Sequence, residues 1–425
     1  MENKNKKKKQ NKKEKDKVFE VLKIICLVGV GILLIELIIF GFLVLSNRKD
    51  ISIDLAKKIV ATDNGYIISG SSNISNSDLS SEFGKITIYE DDKKIEEFKY
   101  DKYYTNTFYD VKKISDGYIA VGAVEKDKKS HKAGTADAII VRFDNNGKVV
   151  WDKLYNELDN AYFKSLIVDN DSIVVVGSSV YASDVIGNED KGGAIIVKYG
   201  LDGNIIVNNH FGKNKVGVFN DVIKVDDYYY AVGNSVTDNA IIVKLNNNLE
   251  KIAINNYNGT GRKGFVSLAN ANDSLYVTCS KNKVKKGQSV GYATIVQYNY
   301  DLKKQNSVMY KNNNHSVWND IIDYNGNLYV VGDGAIKRTK KKSILVQYSY
   351  RGLLASYNYS LDSTFTSEFD YNNDEFYNSL IVKDNKILVA GYTNSKLKDI
   401  GSNKYKFMPI INSYDLSGNL LKQKK

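Results

Sequence analysis

The stretch AIIVRFDNNGKVVWDKLY begins at Ala138, AIIVKYGLDGNIIVNNHF at Ala194 and AIIVKLNNNLEKIAINNY at Ala240. A chain that writes nearly the same eighteen residues three times is built of stacked units, each shaped to fit the next. We aligned the chain on the small residue that closes each hydrophobic-x-Gly run. The anchors are Gly70, Gly122, Gly177, Gly233, Cys279, Gly332 and Gly391, spaced 52, 55, 56, 46, 53 and 59 residues apart. Units of this length are the size of a four-stranded propeller blade. The expectation is an all-β chain: a seven-bladed β-propeller of four-stranded antiparallel blades over residues 55–425, preceded by one transmembrane helix.

The register is tighter than the spacing. Twelve residues before the anchor stand Asp110, Ser165, Asp221, Ser267, Asp320 and Ser379. Fourteen before it stand Phe108, Phe163, Phe219, Phe265, Trp318 and Tyr377. Eleven before it every unit has an aliphatic, from Ile59 to Leu380. The first unit departs, with Ala56 and Lys58, as terminal repeats often do. The fourth unit predicts strands FNDVIKV from Phe219, YYYAVGN from Tyr228, AIIVKLN from Ala240 and KIAINNY from Lys251. The apolar runs predict sheets stacked on both faces. The third and fourth strands should join through Asn or Gly, which tolerate positive φ. The recurrent Asp and Ser read as acceptors for backbone N–H groups of their own or the neighbouring blade. The aromatics read as packing between blades.

DAIIVRFDNNGKVVWDKLY from Asp137, followed by an aromatic-rich strand, resembles the SBBP-type bacterial β-propeller repeats. Asp144 to Trp151, D-x-x-G-x-x-x-W, is similar to the tail of the quinoprotein-like repeat. The resemblance spans roughly residues 54–423 and implies the propeller fold, which hosts many roles. The tryptophan stands in one unit only; Asn208 and Ile254 take its place in the next two.

The N-terminus reads differently. KNKKKKQNKKEKDK from Lys4 precedes IICLVGVGILLIELIIFGFLVL, Ile24 to Leu45, 22 residues with the single charge Glu36. As a helix it reaches about 33 Å, enough to span a bilayer. No small-x-small cleavage pattern follows, so it reads as an uncleaved signal-anchor. Residues 1–20 are then a basic cytoplasmic tail, 21–46 the span and 47–54 a linker. The propeller lies outside a single-pass cell membrane. Glu36 near mid-bilayer costs of order 3 kcal/mol on insertion scales. It reads either as a contact to another membrane helix or as a protonated, tolerated acid.

Lys and Arg total 60 against 49 Asp and Glu, but residues 1–50 hold 12 and 6 of these. The remaining 48 against 43 is too mild for a dedicated nucleic-acid binder. Cys26 and Cys279 form no disulfide framework. The three histidines, His131, His210 and His315, share no metal-ligand spacing. No phosphate loop, nucleophile elbow or calcium loop is present, so no cofactor or metal is expected.

Cations do gather between the second and third strands of three consecutive units. These are Lys281, Lys283, Lys285, Lys286, Lys337, Arg338, Lys340, Lys341, Lys342, Lys396, Lys398, Lys404 and Lys406. Read as loops on one face, they predict a basic patch near the membrane for anionic lipid, wall polymer or a protein partner. Asp362, Glu368, Asp370, Asp374 and Glu375 read as a long acidic loop able to neutralise part of it. The leading reading is a membrane-tethered, non-catalytic binding or scaffold module. The alternative is a polysaccharide-active or quinone-dependent enzyme with its site on the same loop face.

Overall fold

The computed structural model describes residues 51–52, 54–73, 82–158, 160–180, 192–212, 216–237, 239–260, 264–285, 288–311, 314–338, 347–370, 374–396 and 405–424. The chain divides into two compact units, Met1–Asp50 with Lys396–Lys404 and Ile51–Ser395 with Tyr405–Lys425. The apolar run at Ile24–Leu45 and Glu36 lie outside the described residues. Among the described residues no helix is long and apolar enough to cross a membrane.

The second unit is all-β and repeats a four-stranded antiparallel meander. In the meander anticipated from Phe219 the strands are Val216–Val225, Tyr228–Ser235, Ala240–Leu245 and Lys251–Tyr257, hydrogen-bonded in that order. The first strands of the successive meanders are Asp54–Thr62, Thr105–Ile114, Asn160–Asp169, Val216–Val225, Phe265–Ala271, Asn314–Tyr324 and Asp374–Lys383. Each packs against the next, and Asp374–Lys383 packs back on Asp54–Thr62. Ile59, Tyr66 and Ile68 share one apolar cluster with Ile381, Leu388 and Ala390, joining the first meander to the last.

Alternation explains the continuous apolar runs. Val174 and Val176 pack forward against Phe219 and Tyr229, while Ile173 and Val175 pack back against Ile119 and Ile140. Both faces of each sheet are therefore buried, as strands without a solvent face require.

The anchors sit opposite the aromatics. Phe108 pairs with Gly122, Phe163 with Gly177, Phe219 with Gly233, Trp318 with Gly332 and Tyr377 with Gly391, and each pairing is followed by a β-bulge. The bulge turns the carbonyl before the aromatic onto the anchor: a Cβ at Gly122 would run into Thr107 O. Glycine is thus fixed by close backbone approach. Cys279 stands opposite Phe265, where the register break runs on to Leu268. Its side chain is fully buried and burial pushes the thiol up to about 12. We expect the peptide carrying Cys279 to stay unalkylated by iodoacetamide at pH 8 in the native chain and to react on unfolding, read by mass spectrometry. Labelling at the rate of an open thiol would contradict this packing.

Two expectations are corrected. The turns between third and fourth strands do not all use Asn or Gly at positive φ. Gly147, Gly203 and Gly418 do, at 76°, 81° and 83°, but Leu249, Leu302 and Leu361 occupy the same position at 61°, 58° and 67°. These leucines are at most 4 % exposed. Burying a leucine is worth about 1.5–3 kcal/mol, more than the roughly 1–2 kcal/mol of left-handed strain. Where glycine stands, an aromatic of the preceding meander covers it: Phe98 over Gly147, Trp151 over Gly203, Phe365 over Gly418. Where leucine stands, the partner is small: Val207 packs with Leu249 and Ala253 with Leu302.

The second correction concerns Trp151. It pairs with Arg142, and the equivalents Lys198 and Lys244 pair with Val207 and Ala253, one residue earlier than Asn208 and Ile254. The Trp151 indole donates to Leu201 O at 3.0 Å in the next meander. Its role is in that joint.

Candidate functional site

The recurrent Asp and Ser converge at the inner face of the first strands. The Asp110 carboxylate accepts from Val111 N at 2.8 Å and from Leu166 N of the next meander at 3.1 Å. Asp221 accepts from Val222 N at 3.0 Å and Leu268 N at 3.2 Å, and Asp320 from Ile321 N at 3.1 Å and Leu380 N at 3.2 Å. The serines bridge them. Ser165 Oγ lies 3.3 Å from Asp110 and 2.8 Å from Asp221, and Ser267 Oγ lies 2.9 Å from both Asp221 and Asp320. Ser379 Oγ donates to Asp320 at 2.6 Å. The aspartates accept backbone N–H groups of their own and the next meander, as read from the sequence; the serines do not, and instead hydrogen-bond the carboxyls beside them.

Electrostatics completes this layer. Lys58, the departure in the first unit, donates to both Asp320 oxygens at 3.0 and 2.9 Å. Burial alone would depress its ammonium; the carboxylates of Asp320, Asp221 and Asp110 outweigh that and hold it above the ordinary lysine range. Asp221 is held above the usual carboxylate range by burial, against the pull of Lys58. Sequence reading passed over Lys58 as an atypical terminal repeat. The signal was its register: one cation at the position where six other units carry Asp or Ser.

The basic segments are not all loops. Lys281, Lys283 and Lys285 belong to the strand Ser274–Lys285, which continues as a two-stranded ribbon with Gln288–Tyr298. Lys337 and Arg338 end the strand Asn327–Arg338, paired with Tyr348 and Gln347. Lys396 ends the strand Lys386–Lys396, and Lys406 lies in Tyr405–Asp415. For Lys285, Lys337, Arg338, Lys396 and Lys406 only the backbone is described, and Lys286, Lys340, Lys341, Lys342, Lys398 and Lys404 lie outside the described residues. Lys281 Nζ lies 4.3 Å from the Tyr257 ring centre and donates to Asn258 O.

The acidic segment is likewise a strand, Ser363–Phe369, with short flanks. Glu368 and Asp370 pair with Arg351 at 3.0 and 2.7 Å, and Asp362 ties its own hairpin through Asn358. Glu368 also accepts from Tyr310 of the preceding meander at 2.9 Å, so these acids are engaged by their own meander and its neighbour. Among the described residues no group of three or more His, Cys, Asp and Glu is placed to hold a metal. His131 sits on a short helix, Lys128–Ala133, 2.6 Å from Glu125. His210 ends the strand Ile205–His210 and contacts Glu157 at 2.8 Å, and His315 lies in the strand Asn314–Tyr324.

No protein-family model and no curated protein sequence matches the chain. Among solved structures it is similar to the Neurospora crassa Pan2 WD40 domain, at 9 % identity over 79 % of this chain and 85 % of that one, with a TM-score of 0.47. It is also similar to Chaetomium thermophilum Sqt1 bound to the N-terminus of the ribosomal protein L10. There the identity is 11 %, over 89 % and 90 % of the two chains, with a TM-score of 0.48.

Proposed function

We propose that the repeated meanders form a closed seven-bladed propeller of SBBP-like type. Residues 21–46 tether it to a bacterial cell membrane, and it acts outside the cell as a non-catalytic binding module for anionic ligands. Those ligands are anionic lipid, wall polymer or an acidic protein face. The observation that carries the reading is the lengthened ribbon of Ser274–Lys285 and Gln288–Tyr298. These strands have 12 and 11 residues, against 8 and 6 for their counterparts Tyr228–Ser235 and Ala240–Leu245. The added length, residues 282–285, carries Lys283 and Lys285, two and four positions beyond Lys281 in the same strand. A second support is where the chain joins the β unit. Ile51 pairs with Tyr405 and Ser52 with Lys406, at the start of a third strand, the end to which the basic ribbons also extend. Glu36, within the span, is the contact we assign to a membrane partner.

The inner carboxylates serve architecture in this reading, because each is engaged by backbone N–H groups. The ribbon lysines are what a ligand meets. Each Lys near an anionic surface adds up to about 1 kcal/mol. Residues 51–425 should therefore sediment with phosphatidylglycerol vesicles at low salt and detach at high salt. Charge reversal at Lys281, Lys283 and Lys285 together should lower that affinity at least tenfold. Unchanged binding would sink the proposal.

A further inference from the structure

The ring of carboxyls and hydroxyls has fewer protons than contacts. Ser267 Oγ lies 2.9 Å from Asp221 Oδ2 and 2.9 Å from Asp320 Oδ1. A hydroxyl carries one proton and donates well along one line. With both carboxyls ionised, one of these contacts sets lone pair against lone pair where water screens poorly. Ser165 raises no such conflict. It lies 2.8 Å from Asp221 Oδ1 and 3.3 Å from Asp110 Oδ2, so its proton goes to Asp221.

Cations are short at the same place. Asp320 holds Lys58 at 2.9 Å and Asp110 holds Lys112 at 3.4 Å, which leaves Asp221 without an ion-pair partner among the described residues. The charged groups that face it across the ring are Lys58, Asp110 and Asp320. Other charged groups on its own strand and the strands packed against it are engaged elsewhere. Lys224 pairs with Asp169 at 2.9 Å, Lys198 donates to Asn247 O at 2.9 Å, and Lys164 lies over the Tyr109 and Tyr162 rings. Two carboxylates joined through one hydroxyl do not both stay ionised when one cation serves only one of them.

We infer that Asp221 is protonated in the folded chain: its Oδ2–H donates to Ser267 Oγ, whose own proton goes to Asp320 Oδ1. Every contact in the ring then has one donor and one acceptor. Asp221 is half-buried while Asp110 and Asp320 are each 2 % exposed, so it is the ring carboxyl best placed to exchange its proton with solvent. The ring is thereby a pH-sensitive fastening. Ionising Asp221 adds an unmatched charge where Val216–Val225 meets Phe265–Ala271. An unfolded chain releases this proton near pH 4, at about the ordinary aspartate value. The folded chain keeps it, so stability falls as pH rises above about 4 and levels off once Asp221 ionises in the fold. This holds whatever the ribbon lysines bind.

Thermal unfolding of the full chain in detergent, between about pH 4.5 and 8, tests it with wild type and Asp221→Asn. Asparagine copies the protonated acid: its carbonyl accepts from Val222 N and Ser165, and its amide donates to Ser267. The contact it gives up, with Leu268 N, is lost equally at every pH, so the slope carries the result. The melting temperature of Asp221→Asn should climb relative to wild type by about 1–2 °C per pH unit until it levels. In the infrared, wild type near pH 6 should show the carbonyl band of a neutral carboxyl that Asp221→Asn lacks. A difference that stays flat or shrinks as pH rises, an Asp221→Asn chain that does not fold, or the absence of that band would each overturn the assignment.

Discussion

Asp320→Ala should lower stability by about 3–5 kcal/mol, the cost of breaking a buried charge pair from one side. Asp320 is 2 % exposed and receives five donors: Lys58, Ser267, Ser379 and the N–H groups of Ile321 and Leu380. Alanine orphans all of them together, with the Lys58 ammonium the most expensive. At roughly 2.1 cal/mol/K of unfolding entropy per residue over the β unit, the melting temperature should fall by about 4–6 °C. Lys58→Met in the Asp320→Ala background should recover part of the loss, because the partly buried ammonium left without its partner is gone. Thermal unfolding of wild type, both single variants and the double variant checks this. A loss under about 1 kcal/mol, or no recovery in the double variant, would show that the ring is solvated rather than built.

The contrast between Lys58 and its six counterparts shows what one sequence can reveal. The Asp and Ser register was readable because the units alternate two complementary parts, an Asp that accepts the N–H that follows and one in the next meander, and a Ser that hydrogen-bonds the carboxyls beside it. The Phe–Gly pairing was readable for the same reason: a bulge carbonyl aimed at the anchor excludes a side chain in almost every unit. Lys58 was not, because its partner Asp320 is 262 residues away and the contact exists only once the first and last meanders meet. Lys281, Lys283, Lys285, Lys337, Arg338, Lys396 and Lys406 were misread as loop residues because charge density resembles a loop. Strand pairing, as between Lys281 and Tyr292 or Lys283 and Val290, asks only for backbone partners.

Gly203→Leu should cost about 2–5 kcal/mol on its own. A leucine at a φ of 81° carries roughly 1–2 kcal/mol of left-handed strain, and its Cβ would start 3.0 Å from Trp151 Cδ2, leaving the rest of the side chain to overlap the indole. Trp151→Val alone should also destabilise, since it empties the indole's space and removes the donor to Leu201 O. Combined, the two changes rebuild the arrangement of the next meander, where Val207 packs with Leu249 at a φ of 61° and the leucine is fully buried. The double variant should therefore be more stable than the sum of the single losses by about 2 kcal/mol, a coupling that adjacent, space-sharing residues permit. Denaturant midpoints of the four chains measure it. Losses that add to within roughly 0.5 kcal/mol would mean that the two positions do not share one space, and that Trp151 owes its place to something other than this joint.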